Sequence, residues 1–89
     1  MTTVVATHAV SDMDTWLGGG EKRKELFANF RSSYRIFRHA DKDQVSLVWE
    51  NVDLDKMQAL LDSPEGEAGK EMHTVIDPIE IYIEIDGGA

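Results

Sequence analysis

Residues 32–52 read "SSYRIFRHADKDQVSLVWENV". Two runs rich in β-branched and aromatic side chains, 32–40 and 45–52, flank the polar stretch "DKDQ" at 41–44. Such side chains favour extended backbone, and a short charged interval between two such runs marks a hairpin. The hairpin lies in the middle of an 89-residue chain. What stands on either side of it decides the fold.

Downstream, Asp53 is placed to cap a helix, with Val52 and Met57 as a hydrophobic staple. Leu54, Met57, Leu60 and Leu61 make its apolar stripe. Ser63 and Pro64 restart a helix, serine at the N-cap and proline at the first helical position, which predicts a short helix over 64–72. Residues 75–86, "VIDPIEIYIEID", read as a long last strand. Pro78 near its start suits an edge or a bulge.

Upstream, residues 3–10, "TVVATHAV", read as the first strand. Ser11 and Asp14 have capping-box spacing, with Val10 as staple, so a helix starts at about Asp12. Met13, Trp16 and Leu17 share one helical face, and Lys24, Phe27 and Phe30 continue it beyond Gly18, Gly19 and Gly20. Three glycines inside one helix cost roughly 3 kcal/mol relative to alanine. The pattern therefore predicts two pieces, 12–17 and 21–30, broken at 18–20. The order is β-α-β-β-α-β, the α+β ferredoxin-like plan of an antiparallel sheet with its helices on one face. One domain over 1–86 and a flexible tail at 87–89 are expected.

Composition narrows the partners. Lys and Arg number 9 against 17 Asp and Glu, a net charge of −8. Phosphate backbones and anionic membrane surfaces call for a basic face, so neither nucleic acid nor a membrane is expected. The local basic runs "EKRK" at 21–24 and "RIFR" at 35–38 read as solvated faces. There is no cysteine. No basic n-region opens the chain and no run is long enough to span a bilayer, so a cytoplasmic location is expected.

The strands do not alternate as a one-sided sheet requires. Val4, Ala6, His8 and Val10 share one face of the first strand, yet Val5 and Ala9 lie on the other. In the third strand Val48 opposes Val45, Leu47 and Trp49. Only the last strand alternates strictly, with Ile79, Ile81, Ile83 and Ile85 against Glu80, Tyr82, Glu84 and Asp86. Pairing two copies, sheet against sheet, covers the second face, and a domain this small gains from such burial.

With "THAVSDMDTW", "SYRIFRHADKDQVSLVWENVD", "LLDSPEGEAG" and "DPIEIYIEI" in view, nearly the whole chain resembles the dimeric α/β-barrel superfamily. Within it, the chain is similar to the antibiotic-biosynthesis-monooxygenase-like and small cyclase-like proteins. The resemblance implies a homodimer and a cofactor-free enzyme of monooxygenase or cyclase type, acting on an aromatic or polyketide-like molecule between sheet and helices. Relatives commonly carry a histidine in or just after the second helix. Here the first histidine in that region is His73.

Histidine titrates near neutral pH, so His8, His39 and His73 are the first candidates for chemistry. His8 reads either as a core histidine bonded to a carbonyl or as the general acid/base of a pocket. His39 reads as exposed at a turn, and His73 as a helix C-terminal residue suited to the dipole. No H-x-x-x-H pair or cysteine supports a metal site, and none is expected. No serine sits in a nucleophile elbow. Glu80 and Glu84 stand about 13 Å apart at strand rise, too far for an acid/base pair.

The aromatic residues offer two readings, an ordinary core and interface or a ligand cavity. In the cavity reading His8, Tyr34 and Trp49 are catalytic. Met13, Trp16, Gly19, Phe37 and Tyr82 then bind the ligand. The glycines either let backbone approach that ligand, open as a lid, or form a surface kink. Three functions follow: a cofactor-free enzyme, a non-catalytic binding dimer, or a structural dimer.

Overall fold

The computed structural model describes residues 2–28, 30 and 33–85. The expected tail at 87–89, the strand end at Asp86, and Arg31 and Ser32 lie outside the described residues. Eight elements follow in order. They are β1 (Thr2–Val10), α1 (Met13–Gly18), α2 (Gly20–Phe27), β2 (Ser33–Arg38), β3 (Gln44–Val52), α3 (Leu54–Leu61), α4 (Pro64–Met72) and β4 (Val75–Ile83). The strands form one sheet in the order β2-β3-β1-β4, every neighbour antiparallel. This is the ferredoxin-like arrangement, with each of its two helices divided in two.

Strand register fixes which side chains meet the helices. Val4 stands opposite Trp49 and Ile83, Ala6 opposite Leu47 and Ile81, and His8 opposite Val45. Tyr34 faces Trp49 and Ile36 faces Leu47. Directly opposed residues share a face, so these point toward the helices. There they meet Met13, Trp16, Phe30, Met57 and Leu60 in the buried core. The other face carries Val5, Thr7, Val48, Ser46, Arg35, Phe37, Glu80 and Tyr82, with Phe37 and Tyr82 half exposed. β4 is an edge strand, and its register against β1 shifts between Thr7 and Ala9, opposite Pro78. A strand proline tolerates that place because it needs no ladder donor.

The caps differ in one place from the sequence expectation. Asp12, not Ser11, caps α1, its carboxylate accepting from the Thr15 amide at 3.1 Å. The Ser11 amide instead donates to the Thr74 carbonyl and ties the end of β1 to the turn that precedes β4. Asp53 caps α3 and Ser63 caps α4, as their positions suggest. Leu54 does not join the buried stripe of α3. It lies in the first turn and lines an open groove with Thr2, Val52 and Ile83. Met57 and Leu60 carry the burial, with Leu61 half-buried against them.

Gly66 fixes how α4 meets α3. It is buried, and a β-carbon built on it would fall within 3.0 Å of the Leu60 carbonyl oxygen. Only glycine lets the first turn of α4 sit this close to the end of α3.

Candidate functional site

Between the helices and the sheet lies a cavity of about 50 Å³. β1 contributes His8 to its lining, α1 Trp16, α2 Arg23, β3 Trp49, and the C-cap of α4 His73. His8, Arg23 and His73 are all buried. A buried cation needs an explanation, because desolvating a charge costs several kcal/mol unless partners compensate.

Arg23 belongs there by helical spacing. It stands seven residues after Trp16, four before Phe27 and seven before Phe30, so the kinked helix keeps it on the apolar stripe. Its guanidinium carbon lies 3.8 Å from the Trp16 ring centroid, a cation–π stack. Nη1 donates to the Trp16 carbonyl and lies 3.3 Å from His73 Nδ1. Among the described residues, Nε and Nη2 have no hydrogen-bond partner, and neither do the buried indole nitrogens of Trp16 and Trp49. Burial pulls the Arg23 pKa down and the neighbouring Tyr34 opposes that shift. The group stays protonated regardless, since a guanidinium does not lose its proton in proteins.

The two histidines take opposite tautomers. His8 Nδ1 lies 2.9 Å from the Ala9 carbonyl oxygen. A carbonyl only accepts, so Nδ1 carries the proton and Nε2 keeps its lone pair. His73 Nδ1 accepts from Arg23, so its proton sits on Nε2. Burial lowers the pKa of His8, outweighing the hydrogen bond to Ala9, which raises it. Burial also lowers that of His73, helped by the charges of Arg23 and Lys22. Both shifts favour the neutral ring.

A pH dependence of stability follows. Below the ordinary histidine value of 6.5 the unfolded chain takes up protons that folded His8 and His73 refuse. Stability is then fully present above pH 6.5 and falls as pH drops from there toward the folded values. Thermal melts between roughly pH 7.5 and 5 should show a declining Tm, and the double variant His8→Asn/His73→Asn should flatten the decline. An unchanged slope in that variant would contradict the burial of the two rings.

The cavity gathers only some of the residues singled out in the sequence. His8, Trp16 and Trp49 line it. Tyr34 stands beside Trp49 on β2, half-buried against the core and close enough to interact with the Arg23 charge. Met13 is buried in the core without lining the cavity. Phe37 and Tyr82 do not meet the others. Strand alternation turns them to the far face of the sheet, where the Tyr82 hydroxyl donates to Glu80. His39 is exposed, and its Nδ1 accepts from the Asp41 and Lys42 amides in the β2–β3 turn. His73 is buried rather than simply placed at a helix end. Arg23 was hidden inside "EKRK", whose charge suggested a solvated face. Its spacing from Trp16, Phe27 and Phe30 was the signal, whereas Lys24 and Leu17, read onto that stripe from the sequence, are exposed.

The helix does break at the glycines. Gly19 is both the C-cap of α1 and the N-cap of α2, at φ −89° and ψ 12°. A left-handed backbone is therefore not the reason for glycine here. A β-carbon on Gly19 would fall within 3.0 Å of the His73 ring and 3.2 Å from Arg23 Nη1. Helix propensity alone would make Gly19→Ala slightly stabilising. The contact with a buried ring reverses the sign, and a loss of about 1–3 kcal/mol is expected. Urea denaturation reads it directly, and a gain in stability would mean that His73 does not pack against this turn.

No family model matches the chain, and no curated protein matches it. Solved structures do. SnoaB, a cofactor-independent oxygenase from Streptomyces nogalater, superposes with a TM-score of 0.67 at 14% identity, over 94% of this chain and 90% of its own. A crystal structure of an antibiotic biosynthesis monooxygenase gives 0.62 at 12% identity, over 96% of this chain and 97% of its own. A variant of SnoaB gives 0.62 at 16% identity, over 97% and 92%. The chain thus has the fold of the antibiotic-biosynthesis monooxygenases over nearly its whole length. No described helix is long and apolar enough to cross a membrane.

Proposed function

We propose that a chain with this fold and this cavity is a cofactor-free enzyme of the monooxygenase- or cyclase-like type, acting on an aromatic or polyketide-like molecule between sheet and helices. One observation carries the reading. A neutral His8 with its lone pair on Nε2 lines the same cavity as the cation of Arg23 and two unpaired indole N–H groups. Once the cavity, about 50 Å³ as it stands, widens to admit the reacting carbon, His8 takes a proton from an acidic C–H or O–H of the substrate. The electron pair left behind spreads onto a substrate oxygen, where Arg23 and the indoles stabilise the charge. Oxygenation, cyclisation and isomerisation all begin with that step. In oxygenation of a CH₂ group, O₂ is the co-substrate. One of its atoms becomes the new carbonyl oxygen and the other leaves as water with the two hydrogens. Tyr34, beside Trp49, orients the substrate in this scheme.

Anthrone, a three-ring ketone with one acidic CH₂, is a suitable probe. Oxygen uptake should accompany its conversion to the quinone, and His8→Ala should slow it by roughly 10²- to 10⁴-fold with affinity retained. Equal rates in both proteins would remove His8 from the chemistry. Binding without turnover in either would favour a non-catalytic binding protein.

We further propose that the open sheet face pairs with a second copy of the chain. Val5, Val48, Phe37 and Tyr82 lie there with no layer over them among the described residues. Light scattering should give twice the chain mass of 10.0 kDa. A monomer of undiminished stability at micromolar concentration would contradict it.

A further inference from the structure

The buried polar atoms left without partners are all of one kind. They are the Nε and Nη2 of Arg23 and the Nε1 of Trp16 and Trp49, four donors among the described residues. Buried donors are nearly always paired, and all four of these belong to residues that line this mainly apolar cavity. The two free nitrogens of Arg23 lie on the same edge of the guanidinium. Nη1, on the other side, is already committed to the Trp16 carbonyl and His73. A free Nε–Nη2 edge offers two parallel N–H groups, the fork that pairs with the two oxygens of a carboxylate.

We infer that the cavity receives the carboxylate of an acidic aromatic ligand on the Nε–Nη2 edge of Arg23, with the ligand's ring in the groove between α2 and α4. The inference rests on the reading of the cavity as a ligand site. Size supports the division. At about 50 Å³ the cavity admits a carboxylate group and is well under the roughly 150 Å³ of a cavity that binds benzene. An open groove of about 400 Å³ runs beside it between α2 and α4. Leu26, Gly69 and His73 line both spaces and so form the partition. Gly69 thins it, since a β-carbon there would press on the end of the Leu26 side chain. In the inferred binding mode Leu26, a side chain shared by both linings, turns aside to join groove to cavity. Charge agrees as well: no carboxylate among the described residues forms an ion pair with Arg23, and a ligand carboxylate supplies the missing charge.

The test uses 2-naphthoate and its neutral analogue 2-naphthamide with the ¹⁵N-labelled protein. The chain has two tryptophans, so both indole N–H resonances and the Arg23 Nε–H resonance can be followed. Naphthoate should shift all three and bind about 10- to 100-fold more tightly than the amide. Arg23→Gln should erase that preference. Arg23→Lys should keep part of it, because lysine has the charge without the fork. His8→Ala should still prefer naphthoate. Equal binding of acid and amide by the unaltered protein, or acid binding that moves neither Arg23 nor the indoles, overturns the inference even if Arg23→Gln fails to fold. A retained naphthoate preference with no anthrone oxidation would remove the catalytic proposal alone.

Discussion

Trp16→Ala is expected to lose about 3–5 kcal/mol of stability, the range for removing a large buried aromatic side chain. Trp16 is 1% exposed. One face of its indole is stacked by Arg23 and its ring meets His8 edge-on at 6.2 Å between centroids. The substitution opens a larger cavity and strips the buried guanidinium of its aromatic partner. A domain of this size has a total stability on the order of 5–10 kcal/mol, so the variant should melt far below the parent. Urea denaturation of both proteins measures the difference. A loss under about 1 kcal/mol would mean that the α1–Arg23 stack is not part of the core.

Gly66→Ala should cost about 1–3 kcal/mol or more, and Gly69→Ala clearly less. The two glycines lie one turn apart on α4 and differ in what a β-carbon would strike. At Gly66 it meets the Leu60 backbone carbonyl, which cannot move without shifting α3 against α4. At Gly69 it meets the end of the Leu26 side chain at 2.9 Å, which can rotate away. Chemical denaturation of the pair gives the ranking. Equal losses would show that the crossing of α3 and α4 is looser than described.

Much of this architecture was legible in local sequence. Ser63-Pro64 and Asp53 marked the helix starts because capping chemistry is local. The three glycines marked the break because propensity is local too. His8 fell on the buried face by simple alternation from Val4 and Ala6. Other features depend on neighbours distant in the chain. Asp12 rather than Ser11 takes the cap at a point where the backbone of both residues is tied to Thr74, more than 60 residues away. Phe37 and Tyr82 were grouped with Trp49 as aromatic, but aromatic character does not specify a sheet face; register does. Arg23 was the largest omission. Its charge spoke for solvent, and its spacing from Trp16 and Phe30 spoke for the core. Only the stack on Trp16 and the contact with His73 show why spacing prevailed.

The proposed chemistry requires above all a neutral His8 with an unprotonated Nε2 in the cavity that Arg23 also lines. Ring ¹⁵N shifts of His8, followed as pH is lowered from 7, test that directly. The expected result is a proton on Nδ1, an unprotonated Nε2, and a ring that stays neutral below the ordinary histidine value of 6.5. A proton on Nε2, or an imidazolium already formed at pH 7, would leave the cavity without its base and contradict the proposed chemistry.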